Sequence, residues 1–598
     1  MSMLYPVQND RRNLLDLSGF WSFRLDPNDI GHTSGWPSGL EEARTIAVPA
    51  SWNELYEDTR DYFGVAWYEQ RFYAPQGWQG ERVFVRIGSA NYAATVWLNG
   101  AQVGEHQGGH LPFACDITGQ VDWQGENRLL IRVDAELTPT RVPPGNVPGG
   151  VMGGMMNSYP SANFDFFPYA GLQRPVVLFS QPMTAITDVT VVTDINGADG
   201  LVTVHVEAEC DTGVGAIQLS GQGRSWTAAL TFDNGQAMAH LAVPEARFWC
   251  PDDPYLYQLA VTLDDENAAV DRYSLEIGIR TIAVQGTEIL LNGKPIALTG
   301  FGRHEDFPIH GRGLNMPLLI RDFSLLKWVG ANSFRTSHYP YSEEQMMLAD
   351  REGILVVDEI PAVGLFFEDG PDGVAARLKQ CRQQLDELIR RDKNHASVIM
   401  WSVANEPLPP HLMQRFAGGD PPPLDPATTA FFAQLIDQAR AQDATRPVTL
   451  VGLHGCPHEW LALSDVIFIN RYYGWYVESG QLEAGFAALD AELDELFAAL
   501  GKPIVLSEFG ADTVAGMHSN PPEMFSEEYQ VAFLRGYLEV AGRKEFVVGL
   551  HVWNFADFKT GQGIMRVGGL NLKGVFTRER RPKMAAHFLR EEWTTKAE

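Results

Sequence analysis

Residues 398–407 read VIMWSVANEP: seven apolar or small residues, then two polar side chains and a proline. A run that is apolar at successive positions belongs to a strand covered on both faces, as in a parallel sheet. It stops abruptly at Asn405 and Glu406, and Pro407 cannot continue it. Similar runs occupy 296–300, 332–335, 354–358, 448–451, 466–470, 504–507 and 548–553. Helical patterns lie between them, as at 317–329, 343–351 and 374–392. Eight strand–helix units over roughly 300 residues predict a (β/α)8 barrel from 281 to 598, with its chemistry at the C-terminal strand ends.

Upstream the rhythm is different. Residues 82–87, 94–98 and 127–133 are short alternating runs between turns, and Asn99-Gly100 is a strong hairpin signal. Residues 1–182 therefore read as a β-sandwich, with 145–154 (GNVPGGVMGG) too rich in Gly and Pro for regular structure. Residues 183–280 continue with short strands at 188–192, 201–206 and 256–261, a pattern that suits an immunoglobulin-like sandwich.

The formal net charge of -29 argues against nucleic-acid or anionic-membrane partners, which need a basic face. Five cysteines are scattered without CxxC or Cys/His ligand spacing, so neither a disulfide framework nor a zinc site is expected. The amino terminus has no apolar core of a leader, and no run of about 18 apolar residues occurs. These features suggest a cytoplasmic enzyme that needs no metal or other cofactor.

Polar residues collect where the strands end: 303–306 (RHED), 335–339 (RTSHY), Asp358-Glu359, Asn405-Glu406, 470–473 (NRYY), Glu508 and Asn554. Any one could cap a helix or form an ion pair, but seven of eight strands facing one end is a site. Glu406 and Glu508 end strands four and seven, on opposite sides of a barrel mouth. Two such carboxyl groups are the equipment for cleaving a glycosidic bond: one protonates the leaving oxygen while the other, ionised, attacks the anomeric carbon. A retaining enzyme holds them about 5–5.5 Å apart.

Along nearly its whole length the chain resembles glycoside hydrolase family 2. The resemblance rests on GFGRHED (300–306), RTSHYPY (335–341), RDKNHASVIMWSVANEP (391–407), NRYYGWY (470–476), LSEFGAD (506–512) and HVWNFADF (551–558). It implies an N-terminal jelly-roll sandwich, an immunoglobulin-like sandwich and a C-terminal TIM barrel. It further implies Glu406 as acid/base, Glu508 as nucleophile, Asn405 on the sugar 2-hydroxyl and Tyr472 on Glu508. His338, Asn470 and Trp553 would line the sugar subsite. Glu406 is expected to have a raised pKa because Glu508 is beside it.

Within the family, 566–577 (RVGGLNLKGVFT) resembles the segment with which β-glucuronide hydrolases hold the substrate carboxylate. Arg566 and Lys573 would supply charge, and Asn571 and Tyr476 hydrogen bonds; a neutral sugar would leave these donors unpaired. Asp165, in FDFFPYAGLQRP, matches a residue that reaches sugar hydroxyls from the first domain; an inter-domain contact is the rival role.

Two departures stand out. Leu570 looks inserted before Asn571, which weakens the choice of glucuronide over galacturonide. The segment 362–375 after strand three is short, which suggests an open mouth and larger aglycones. The alternatives are a β-galacturonidase or dual uronidase, then a β-galactosidase or mannosidase, then a carbohydrate-binding protein that has lost catalysis. The resemblance also implies a homo-oligomer, a tetramer or dimer.

Overall fold

A computed structural model of the chain describes residues 3–147, 158–265, 268–412, 414 and 422–595. A closed parallel barrel holds the C-terminal half together. Its strands are β1 (Leu298–Gly302), β2 (Ser333–Arg335), β3 (Leu355–Glu359), β4 (Val398–Asn405), β5 (Val448–Gly452), β6 (Ile467–Asn470), β7 (Ile504–Glu508) and β8 (Val547–Val552). β8 pairs back onto β1, with Leu298 opposite Gly549. Every residue of β2 to β7 is buried, which accounts for their unbroken apolar runs.

β1 begins two residues later than the spacing predicted. Lys294–Ile296 instead closes a three-stranded meander with Ile282–Gln285 and Glu288–Leu291. That meander plugs the N-terminal end of the barrel, where Ile282, Ile289, Leu291 and Trp249 pack against Leu298, Leu355 and Val357. The helix after β3 runs Pro371–Asp392, so it starts three residues before the apolar pattern, with the proline in its first turn where no donor is lost. The loop after β3 is correspondingly shorter than 362–375. Side-chain caps from Asn315, Ser342, Asp425 and Ser526 start four of the outer helices. The fifth crossover helix is a single turn, His458–Leu461.

The N-terminal sandwich pairs a six-stranded with a four-stranded sheet around Trp21, Phe23, Trp52, Tyr68 and Val85. Asn99 and Gly100, both at positive φ, turn Ala93–Leu98 into Ala101–Gln107. Of the loop expected at 145–154, residues 148–154 lie outside the described residues. The second sandwich has seven strands, three and four joined by a single pair, Asp233 with Gln236. All five cysteines are free thiols. Among the described residues no helix is long and apolar enough to cross a membrane.

Buried ion pairs fasten the domains. Arg86 of the first sandwich bonds Glu343 at 2.9 Å, and Arg174 reaches Glu305 at 3.3 Å and the Pro340 carbonyl. Within the barrel, Asp322 receives Arg303 at 2.8 Å from the end of β1 and Arg580 at 2.8 Å from the C-terminal segment, all three buried. Removing one partner of such a cluster leaves the others charged and desolvated. Asp322→Ala should therefore destabilise the barrel by about 3–5 kcal/mol, read as a lowered denaturation midpoint; a loss below about 1 kcal/mol would contradict this description of the cluster.

Candidate active site

The strand ends bring two carboxyl groups into one mouth. Glu508 closes β7 and is buried. Glu406 follows β4 at φ 47, a left-handed conformation costly for a side chain with a Cβ, held by its N–H donating 2.9 Å to the Val451 carbonyl. The side chains between them form one network. Asn470, ending β6, donates 2.9 Å to Glu406 Oε1 and 3.2 Å to Asn405 Oδ1, and accepts from Ser507 Oγ at 2.8 Å. Tyr472 donates 2.7 Å to Glu508 Oε2. Arg335, ending β2, donates 2.5 Å to Glu508 Oε1, 2.8 Å to Glu359 Oε1 and 3.5 Å to Asn405 Oδ1.

Burial pushes the Glu508 carboxyl up against the pull of Arg335; the Glu406 charge adds to the rise and the Tyr472 hydrogen bond opposes it. Glu406 is raised too. The direction is the expected one: burial leads, Asp165 adds to the repulsion within the Glu406–Glu508 pair, and Asn470 and Arg335 oppose. Neighbouring carboxyl groups hold their protons jointly. Glu508 alone has a guanidinium and a phenol donating to its two oxygens, so the negative charge settles there and the retained proton on Glu406.

Beside the pair, His338 stacks on Trp553 with centroids 5.1 Å apart and planes 19° from parallel. Gly302 makes room for that indole: a Cβ there would lie 2.5 Å from its ring. His338 Nδ1 lies 2.8 Å from Glu359 Oε1 and Nε2 lies 3.5 Å from Glu508 Oε1. Burial lowers its pKa to about 4, more than the Glu359 hydrogen bond raises it, so the ring is neutral at neutral pH.

On the other side of the mouth stand the basic residues after β8. Tyr476 Oη accepts from Lys573 Nζ at 2.8 Å and Arg566 Nη1 at 3.1 Å. Lys573 also bonds Asp512, which accepts from the Leu572 N–H at 2.8 Å. Arg566 donates to both oxygens of Asp165, at 2.8 and 2.6 Å, and Asn571 donates to the same carboxylate at 2.7 Å. Asp165 thus crosses from the first sandwich into the mouth and makes an inter-domain contact there. Leu570 follows a turn in which Gly568 and Gly569 both take positive φ, and it pairs with Lys559 as Asn571 pairs with Phe558.

All twelve residues singled out from the sequence come together in this mouth. Three that hold them in place were not singled out: Arg335, Glu359 and Asp512. Each stood in view, opening RTSHYPY, ending β3 or closing LSEFGAD, but which partner a buried charge meets is a property of the fold. Burial works to raise Glu359, and Arg335 with the His338 and Ser402 hydrogen bonds outweighs it, so this carboxylate stays ionised. Among the described residues no group of three His, Cys, Asp or Glu side chains is placed to hold a metal ion.

Comparison with known proteins agrees with this architecture. Residues 14–182, 179–280 and 282–597 match, in turn, the families described as "Glycosyl hydrolases family 2, sugar binding domain", "Glycosyl hydrolases family 2" and "Glycosyl hydrolases family 2, TIM barrel domain". The chain is 41% identical over 612 residues to a beta-glucuronidase of Paenibacillus borealis, covering 99% of this chain and 98% of that one. It is 42% identical to a beta-glucuronidase of Rattus norvegicus, covering 99% and 92%. It superposes with a TM-score of 0.89 on the b-glucuronidase of Ruminococcus gnavus in complex with D-glucuronic acid, at 38% identity and 99% coverage of each chain.

Because Arg335 and Tyr472 both lower the Glu508 pKa, removing either donor should raise it. Tyr472→Phe and Arg335→Gln should each move the acid limb of the pH–activity profile to higher pH, with kcat/KM down about 10–1000-fold at neutrality. An acid limb unmoved in both variants would show that Glu508 is not the group whose ionisation limits the rate.

Proposed function

The chain belongs to glycoside hydrolase family 2, and we propose that it is a retaining exo-β-glucuronidase that releases terminal β-D-glucuronate. The observation that carries this reading is the pairing of Glu406 and Glu508 with four donors for a carboxylate in one barrel mouth: Arg566, Asn571, Lys573 and Tyr476. Glycone acidity is the property such donors select, because a sugar carboxylate gives them a charge-assisted partner and a neutral sugar gives them none.

Glu508, kept ionised by Arg335 and Tyr472, attacks the anomeric carbon as Glu406 gives its proton to the leaving oxygen. The glycosidic bond breaks and an ester to Glu508 forms. Glu406, now a carboxylate, takes a proton from water as that water attacks the anomeric carbon, and Glu508 leaves with its charge restored. Asn405, fixed by Asn470 and Arg335, faces the mouth where it serves the sugar 2-hydroxyl. The stacked His338 and Trp553 wall the subsite. The short loop after β3 supports an open mouth for larger aglycones. That the working enzyme is a homo-oligomer belongs to the same proposal and rests on family resemblance.

Side-by-side hydrolysis of the p-nitrophenyl β-D-glucuronide, β-D-galacturonide and β-D-galactoside tests the reading. Glucuronide should be turned over at least about 100-fold faster than galactoside, the discrimination expected when buried donors lose their partner, and Glu508→Ala should abolish turnover of all three. Equal galacturonide turnover would make this a dual uronidase with a clamp loosened at Leu570, and galactoside preference would refute the clamp.

A further inference from the structure

Lys583, just ahead of the last helix (Met584–Thr595), carries a charge yet is only 2% exposed. Its Nζ donates 2.8 Å to the Thr513 carbonyl, 2.9 Å to the Leu572 carbonyl and 2.8 Å to Asp557 Oδ1. An ammonium has three protons and no lone pair, so these acceptors engage it fully and leave nothing for substrate. No step of the reaction set out above uses it.

The acceptors bracket the basic wall of the mouth. Thr513 follows Asp512, and Leu572 sits between Asn571 and Lys573, so one cation grips the backbone on both sides of the Lys573–Asp512 pair. The two segments are also tied to each other. The Thr513 N–H donates 2.9 Å to the Leu572 carbonyl, and the Leu572 N–H donates 2.8 Å to Asp512. Asp557 belongs to HVWNFADF, beyond the end of β8, and its N–H donates 2.9 Å to the Phe576 carbonyl. The chain at Gly574 passes so near that a Cβ there would lie 2.1 Å from the Asp557 nitrogen. Gln530, from the helix Glu527–Ala541, adds a second brace: its amide donates 3.1 Å to the Lys573 carbonyl and 3.3 Å to that of Gly574.

We propose that Lys583 is a positioning residue for the substrate carboxylate, fixing the backbone from which Asn571 and Lys573 present their donors. The inference rests on the clamp reading proposed above and adds a determinant of it that touches no substrate. A buried ion pair adds little stability over apolar side chains of the same size, so its effect here is geometric. Charge-assisted contacts to a sugar carboxylate must be held to within about 0.5 Å, and a displacement of about 1 Å is felt strongly. Lys573 has little freedom to compensate, since its ammonium is already shared between Tyr476 and Asp512.

The test compares hydrolysis of p-nitrophenyl β-D-glucuronide and β-D-glucoside, which differ only at C6, by the wild type, Lys583→Met and Lys573→Met. Loss of folded enzyme lowers both rates and leaves their ratio; a displaced clamp lowers the ratio. Lys583→Met should lower the glucuronide-to-glucoside ratio of kcat/KM by about 10- to 100-fold, through the glucuronide KM more than kcat. Lys573→Met should lower it at least as far. A ratio unchanged in Lys583→Met but lowered in Lys573→Met would overturn the inference and leave the clamp standing. A ratio unchanged in both would refute the clamp, and the inference with it. Should Lys583→Met fail to fold, Lys583→Met combined with Asp557→Asn, which strands no buried charge, is read in the same way.

Discussion

The guanidinium of Arg335 is the interaction on which the mouth of the barrel depends. It is fully buried and donates to Glu508 and Glu359 at once, with Asn405 at the edge of reach. A charge so placed is tolerable only with its counter-ions, and they with it. The carboxylates of β3 and β7 are thereby tied to the end of β2, and Asn405 beside Glu406 is drawn into the same network. Two anions share one cation, and the guanidinium together with the Tyr472 hydroxyl on the Glu508 oxygens is what favours the ionised nucleophile. Glu359 is the quieter member: it takes Ser402 at 2.6 Å and His338 at 2.8 Å, which fixes the imidazole that stacks on Trp553.

The opposite wall is built on the same principle with the signs reversed. Lys573 and Arg566 converge on the Tyr476 hydroxyl, and two carboxylates hold them there, Asp512 from the loop after the nucleophile's strand and Asp165 from another domain. Burial disfavours an ionised Asp512, but Lys573 and then Arg566 outweigh it and its pKa lies below the usual range. The cations that would read a sugar carboxylate are thus aligned before substrate arrives, which lowers the ordering cost of binding. Asp165 makes the N-terminal sandwich part of the site, and Arg86 and Arg174 fasten the same domain boundary.

Much of this was legible in the chain. Strands buried on both faces leave an unbroken apolar run, so β4 and β7 and the glutamates that end them could be read directly. The alternation of the N-terminal strands and the Asn99-Gly100 turn were equally plain. Boundaries were less so. Lys294–Ile296 reads like the start of β1 because a meander strand and a barrel strand share the same residue types, and Pro371 opened a helix ahead of its apolar stripe. What could not be read was partnership. Sequence shows that Arg335, Glu359 and Asp512 are charged, but the contacts that give them their tasks join positions up to 173 residues apart. The raised Glu406 pKa was expected from its neighbour Glu508, but the degree of burial and the approach of Asp165, which also raise it, belong to the folded chain.

The account stands on Glu508 as the atom donor to a covalent intermediate. Incubation with a 2-deoxy-2-fluoro-β-glucuronyl fluoride, followed by proteolysis and mass spectrometry, tests that most directly. The inductive fluorine slows both steps, the fluoride leaving group restores the first, and the intermediate accumulates. The account predicts a single fluoroglucuronyl ester on the peptide that contains Glu508. A label on Glu406, or hydrolysis of the fluoride with no adduct at all, would contradict it.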